Sequence, residues 1–153
     1  MHKYDKRDFP VDNVRRYLEP GPIVLVSSAW RGKTNIMTMG WHMVMGFEPS
    51  LIGCFIWDQN HSFDKFAEFG LTAVAGSRIG APLIEECCAS FECKLADAKL
   101  ILAYSLFVLE VVKAHVAVSP KYPRTMHYRG DGLFMLSGAN TAKFRKLFKP
   151  QNL

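Results

Sequence analysis

The sequence predicts a mainly β fold, an antiparallel barrel or sandwich with few helices. Three observations carry that expectation. Short β-branched and apolar runs recur along the chain, turn residues punctuate them, and no long helical pattern separates them. A parallel doubly wound sheet needs long helices between its strands, so a Rossmann-type domain is not expected.

The elements follow in order. Met1 to Phe9 is charged. Pro10 to Leu18 has Val11, Val14 and Leu18 on one side of one or two helical turns. Pro20-Gly21-Pro22 stops any helix and opens an extended segment. Ile23 to Trp30 reads as a buried strand, Arg31-Gly32-Lys33 as a turn, and Thr34 to Trp41 as the returning strand of a hairpin. Glu48-Pro49-Ser50 leads into a further apolar run, Leu51 to Trp57. Asp58 to Ser62 is a polar turn, after which Phe63, Phe66 and Phe69 recur at helical spacing. Ser62 is suited to cap that helix and Gly70 to end it.

Gly76 to Pro82 reads as a loop. Phe91 to Leu95 alternates apolar with polar residues, as a strand with one wet face does. Leu106 to Val118 is a long β-prone run, with Val112, Ala114, Val116 and Val118 facing one way and Lys113 and His115 the other. Residues 91 to 118 therefore read as two antiparallel strands joined near Ala98 to Ala103. A last hairpin pairs Thr125 to Tyr128 with Leu133 to Ser137 across Gly130-Asp131-Gly132.

The bulk numbers fit one globular domain. The chain has 153 residues, 49% hydrophobic and 22% charged, which supplies one core. Net charge is +5, a mild field that favours anionic ligands and weighs little toward nucleic acid. The cations are scattered except for Lys143, Arg145, Lys146 and Lys149, which alternate with Phe144, Leu147 and Phe148 as in an amphipathic tail helix. Neighbouring Cys87 and Cys88 do not bridge easily, and Cys54 and Cys93 sit in runs typical of buried thiols. The expectation is a cytoplasmic protein with reduced cysteines, no signal segment and no membrane partner.

A search for catalytic side chains finds none. None of the five histidines stands at metal-ligand spacing, and no metal site is expected. Adjacent Glu85 and Glu86 would point apart on a strand. Walker, Gly-x-Ser-x-Gly and Gly-x-Gly-x-x-Gly patterns are absent. Two polar stretches stand out instead. Asn35-Ile36-Met37-Thr38-Met39-Gly40-Trp41-His42 closes the first hairpin and mixes hydrogen-bonding with flat or soft apolar groups; it reads equally as an ordinary barrel strand. Asn60-His61-Ser62 opens a helix, where backbone N–H groups favour an anion; simple capping is the alternative. Together they suit one ligand with a flat ring system and a phosphate, a description that FMN satisfies.

In this order, Pro22 to Ser28, Asn35-x-Met37-Thr38, Pro49, the run Leu51 to Ile56 and the polar turn with Ser62 resemble the opening of flavin reductase-like, FMN-binding split-barrel proteins. Looser likeness continues through Gly80-Ala81-Pro82-Leu83, Phe91-Glu92-Cys93, Glu110-Val111-Val112 and Tyr128-Arg129-Gly130. The resemblance implies an antiparallel split β-barrel with a few short helices over residues 20–138, between an N-terminal segment (1–19) and a basic tail (139–153). It implies a homodimer with FMN, sometimes FAD, and NAD(P)H as reductant in a flavin reductase. An FMN-bearing electron carrier without NAD(P)H turnover is the alternative, as is a non-enzymatic barrel whose flavin site is damaged. An oxygenase using free reduced flavin is one acceptor it allows.

By position, Asn35, Met37, Thr38, Met39 and Gly40 would border the ring, with Trp41 a wall or a core residue, and Asn60, His61 and Ser62 would hold the phosphate. His127 lies where some relatives approach the nicotinamide, but an ordinary exposed strand histidine is the favoured reading. The sequence departs from the family after Ser62-Phe63. The helix opening runs directly into what resembles a later segment, so a strand of the barrel is expected to be missing. Another strand or a partner subunit would have to close that edge, or the barrel is compromised.

Overall fold

Val24–Trp30 (β1) and Lys33–Met39 (β2) form the expected hairpin, paired from Val24 opposite Met39 to Trp30 opposite Lys33. The turn takes two residues with positive φ, Arg31 at 49° and Gly32 at 77°. That is the tight hairpin turn whose twist matches the strands, and glycine meets it without strain. In this computed structural model, residues 10, 21–57, 66–120, 122–139 and 145–147 are described. Of the expected turns over Pro10 to Leu18 only Pro10 is among them. Asn60, His61 and Ser62 lie outside the described residues, as does most of the basic tail; Arg145–Leu147 is a single 3-10 turn.

The returning strand ends at Met39, not Trp41, and a separate strand follows, β3 (His42–Phe47), which the sequence reading did not foresee. β3 pairs with β4 (Ser50–Phe55), β4 with β8 (Leu106–Val116), and β8 with β7 (Ala89–Asp97), giving a four-stranded antiparallel sheet in the order β3-β4-β8-β7. Two small pairs complete the set: β5 (Ala73–Val74) with β6 (Leu83–Ile84), and β9 (Met126–Gly130) with β10 (Leu133–Leu136). The only α-helical turn among the described residues, Ile101–Tyr104, sits in the expected β7–β8 connection. Phe66–Phe69 is a 3-10 turn; Phe66 is buried but Phe69 is mostly exposed, so the expected apolar helix face is only partly used.

The β1–β2 hairpin is buried on both faces. Met37 and Met39 pack with Cys54 against the sheet, joined by Val24, Val26, Ile52, Ile56, Phe107 and Leu109. On the opposite face Ile36 packs with Phe66 and Ile84, next to Leu25, Leu71 and Cys87. Strand alternation makes this possible, because odd and even residues of one strand reach opposite layers. Ile36 is 3% exposed, and cutting it to alanine should cost on the order of 2–5 kcal/mol.

The alternation expected in β8 holds only in part: the pairing with β7 skips Val112, Lys113 and Ala114 are both exposed, Val116 is 63% exposed, and Val118 lies beyond the strand end. His115, on the other row, reaches a buried carboxylate. Glu92 is 0% exposed. Its Oε1 accepts from the backbone N–H (3.0 Å) and hydroxyl (2.8 Å) of Ser77, and its Oε2 from the N–H groups of Arg78 (2.6 Å) and Ile79 (3.0 Å). His115 Nε2 meets Oε1 at 2.8 Å and, facing a group that only accepts, donates. A Cβ on Gly76 would stand 2.9 Å from Oε2, so the loop closes on the carboxylate only because glycine is there. Burial alone would raise this carboxyl's pKa. The hydrogen bonds from His115, Arg78 and Ser77 outweigh it and hold the group far below the ordinary value of 4.5.

The Glu92 carboxylate thus ties loop 76–79 to β7. Because the folded group binds its proton less tightly than the unfolded one, its contribution is whole above about pH 4.5 and is lost as the pH falls below that. Glu92→Gln turns an acceptor oxygen into a donor facing N–H groups, and should lower Tm at neutral pH. Thermal melts taken stepwise into acid should show the gap between wild type and variant shrinking; a gap constant with pH would contradict this account.

Candidate functional site

Three elements converge on one cavity of about 650 Å³, within the range of small-molecule sites. The end of β2 supplies Thr38, Met39 and Gly40, followed by Trp41; the end of β4 supplies Phe55 and, just past it, Trp57; the β9–β10 hairpin supplies Tyr128, Gly132 and Phe134. Ile23 completes the lining. Backbone bonds fix these elements together: Ile23 N–H donates to Met126 O at 2.7 Å, and Phe55 N–H to Trp41 O at 3.0 Å. The β9–β10 turn needs positive φ at Gly130, Asp131 and Gly132, which brings a glycine to the cavity wall.

The walls are flat and apolar. Trp41 and Phe55 meet with ring centroids 5.2 Å apart at 48°, and Tyr128 and Phe134 at 5.1 Å and 45°. These are tilted pairs of the kind aromatic quadrupoles favour. Trp41 is 50% exposed, which decides for a wall and against the core. Gly40 has nothing within 4 Å of where a Cβ would stand, so its backbone is open to the cavity. Among the described residues no charged side chain is in the lining.

The sequence-selected residues divide. Thr38, Met39, Gly40 and Trp41 line this cavity. Met37 and Thr38 line a smaller one of about 280 Å³ on the hairpin, beside Phe69 and Leu71. Asn35 is exposed and lines neither. Asn60, His61 and Ser62 fall outside the described residues. Phe55, Trp57, Tyr128 and Phe134 were missed; each stands at a strand end or hairpin, and only tertiary structure shows that the ends meet.

Other chemistry is poorly supplied. Ser77 and His115 both bond Glu92 rather than each other, so the three do not form a nucleophile–base relay. His42 Nε2 is within 2.8 Å of Pro22 O, with its ring against Gly21, and His127 Nε2 is 3.0 Å from the Thr125 hydroxyl. Glu86 accepts from Thr72 N–H through both oxygens, which lowers its pKa. Among the described residues no cluster of three His, Cys, Asp or Glu is arranged for a metal, and no helix is long and apolar enough to cross a membrane.

Comparison with known proteins gives this cavity its setting. Residues 60–134 match the family described as flavin reductase like domain. The matched stretch is a little under half of the chain. Protein YddH of Escherichia coli (strain K12) is 28% identical over 181 residues, taking in 86% of this chain and 96% of its own. That matched stretch is longer than this 153-residue chain, so YddH has positions with no counterpart here. An FMN-binding domain of a flavin reductases-like enzyme from Shewanella baltica OS155 superposes with TM-score 0.67 at 20% identity, over 87% of this chain and 94% of its own. Flavoredoxin from Methanosarcina acetivorans does so with 0.69 at 19%, over 94% and 100%. The chain therefore has the split-barrel fold that the sequence resemblance implied.

Burial works against three of the thiols. Burial pushes Cys93 up to about 11, with Cys54 adding to the effect, and raises Cys54 and Cys87 as well. All four cysteines are free, and Cys88 is the exposed one. Alkylation of the native protein at mildly basic pH, followed by peptide mass mapping, should label Cys88 first and Cys54 and Cys93 only on unfolding. Early labelling of Cys93 would show that the β4-β8-β7 sheet is open.

Proposed function

We propose that the flavin reductase-like domain binds FMN with its ring in the cavity at the end of β2 and works as an FMN-dependent oxidoreductase, with NAD(P)H as reductant. The supporting observation is the cavity itself: flat aromatic walls around the exposed backbone of Gly40, in a chain whose family and structural neighbours are flavin proteins. Bound FMN would supply the site that accepts a hydride or single electrons, chemistry that needs no catalytic acid or base from the protein. In this reading Thr38, Met39 and Gly40 orient the ring edge and Trp41 walls it. Asn60, His61 and Ser62 hold the phosphate. The chain's net charge of +5 favours the anionic cofactor.

One observation favours a second reading, an FMN-bearing electron carrier. The described lining has no cation to meet the phosphates of a nicotinamide nucleotide. One set of measurements separates the two. Purified protein titrated with FMN should show a perturbed flavin spectrum and saturable binding. Gly40→Val should keep the wild-type Tm yet weaken FMN by about tenfold or more, ~1.4 kcal/mol, because the new methyls enter open cavity. NAD(P)H oxidation that depends on FMN supports the reductase; flavin binding without it supports the carrier; no flavin binding at saturating FMN sinks both.

We also propose a cytoplasmic homodimer, in keeping with four free thiols. Its interface would be the outer face of the four-stranded sheet, where Met43 and Met45 cover Gly53 and Val116 and Phe91 are mostly exposed. Sedimentation should give twice the chain mass, and Val116→Lys should shift it toward monomer. A wild-type monomer at micromolar concentration would remove the dimer from the proposal.

A further inference from the structure

Two walls of the cavity come from different elements, and the proposed flavin position uses only the first. Thr38 to Trp41 and Phe55 stand where β2 and β4 end, whereas Tyr128, Gly132 and Phe134 belong to the β9–β10 hairpin. That hairpin is braced at both ends. At its open end Ser137 N–H donates to Thr125 O at 2.9 Å, and Thr125 N–H to the Ser137 hydroxyl at 2.8 Å. At its turn Gly132 N–H donates to the Tyr128 hydroxyl oxygen at 3.2 Å. Tyr128 and Phe134 are register partners, with a shift of register just before Phe134. Cross-strand partners share a face of the hairpin, so both rings stand on one side of it.

The Tyr128 hydroxyl is anchored but not used up. A phenol oxygen accepts through its lone pairs and donates one proton. Gly132 takes a lone pair, and among the described residues nothing accepts the proton. Both bonded residues line the cavity, so the hydroxyl stands at its wall, on an exposed side chain. The other hydrogen-bonding side chains of the described lining are Thr38, Trp41 and Trp57, and each is an uncharged donor.

We propose that the Tyr128–Phe134 wall binds the second substrate of the proposed oxidoreductase, a flat, uncharged ring compound with a carbonyl oxygen. The two rings give a flat guest a face to stack on. Tyr128 O–H supplies the donor that the carbonyl oxygen meets. An uncharged guest gives up little hydration between apolar walls, whereas a charged one gives up much. Tyr128 is thereby a specificity-determining residue. It selects a guest with an acceptor at that point over a hydrocarbon of the same shape. Calling the guest a substrate rests on the flavin reading; its binding does not.

Duroquinone is the probe, since its ring is flat and uncharged and its methyl groups keep thiols from adding to it. Calorimetry on the flavin-free full chain should give saturable binding. Infrared difference spectra should place one bound carbonyl stretch below its position in an apolar solvent. Tyr128→Phe should weaken binding by about three- to tenfold and return the stretch toward the apolar-solvent position. Phe134→Leu should also weaken binding but keep the lowered stretch. No binding at saturating duroquinone overturns the proposal, and so does a lowered stretch that survives in Tyr128→Phe. On chain saturated with FMN the binding should persist; full competition between the two overturns the second wall. A chain that takes up no FMN defeats the flavin reading alone, because the flavin-free titration still decides this one.

Discussion

The β1–β2 hairpin has to serve two cores at once. Met37 and Met39 face the four-stranded sheet while Ile36, the residue before Met37, faces Phe66 and Ile84. The rest of the domain is arranged around that double burial. The sheet supplies one wall, the segment from Phe66 to Cys87 supplies the other, and the hairpin's free end delivers Thr38 to Trp41 to the cavity. Displacing the hairpin would disturb both layers and the candidate site together. Close packing transmits such shifts, because interiors leave few voids to absorb them.

A polar interaction holds the second wall in place. Loop 76–82 makes no strand of its own, and its N–H groups would be costly to leave unpaired beside the core. The Glu92 carboxylate satisfies three of them, and the His115 ring donates to it from the other side. A buried charge is tolerated here because nearly all its acceptor capacity is used. The same geometry that fixes the loop therefore takes Ser77 and His115 out of contention as catalytic groups.

Much of this was legible in the sequence where local pattern decides the outcome. Ile23 to Trp30, Phe91 to Leu95, Leu106 to Val116 and the hairpin around Gly130-Asp131-Gly132 all form strands near their expected bounds. β3 escaped because Met43 to Phe47 is interrupted by Gly46 and follows Gly40-Trp41, which reads as one continuous strand with β2. Glu92 gave no sign of its role, since alternation alone puts a glutamate on the wet face; loop 76–79 folds over it and supplies its donors. Half the cavity was read from Thr38 to Trp41. The other half comes from Ile23, the end of β4 and the β9–β10 hairpin, and no spacing along the chain encodes their meeting.

The placement of the tryptophans has a practical consequence. Trp30 stands 75% exposed at the hairpin tip, under the guanidinium of Arg31 at 5.6 Å, whereas Trp41 and Trp57 sit at the cavity mouth. The molecule thus carries two spectroscopically distinct indole populations. Emission from the tip pictures events at the end of β1, and emission from the mouth pictures ring stacking, so single-tryptophan variants would let an observer watch either place without an added dye.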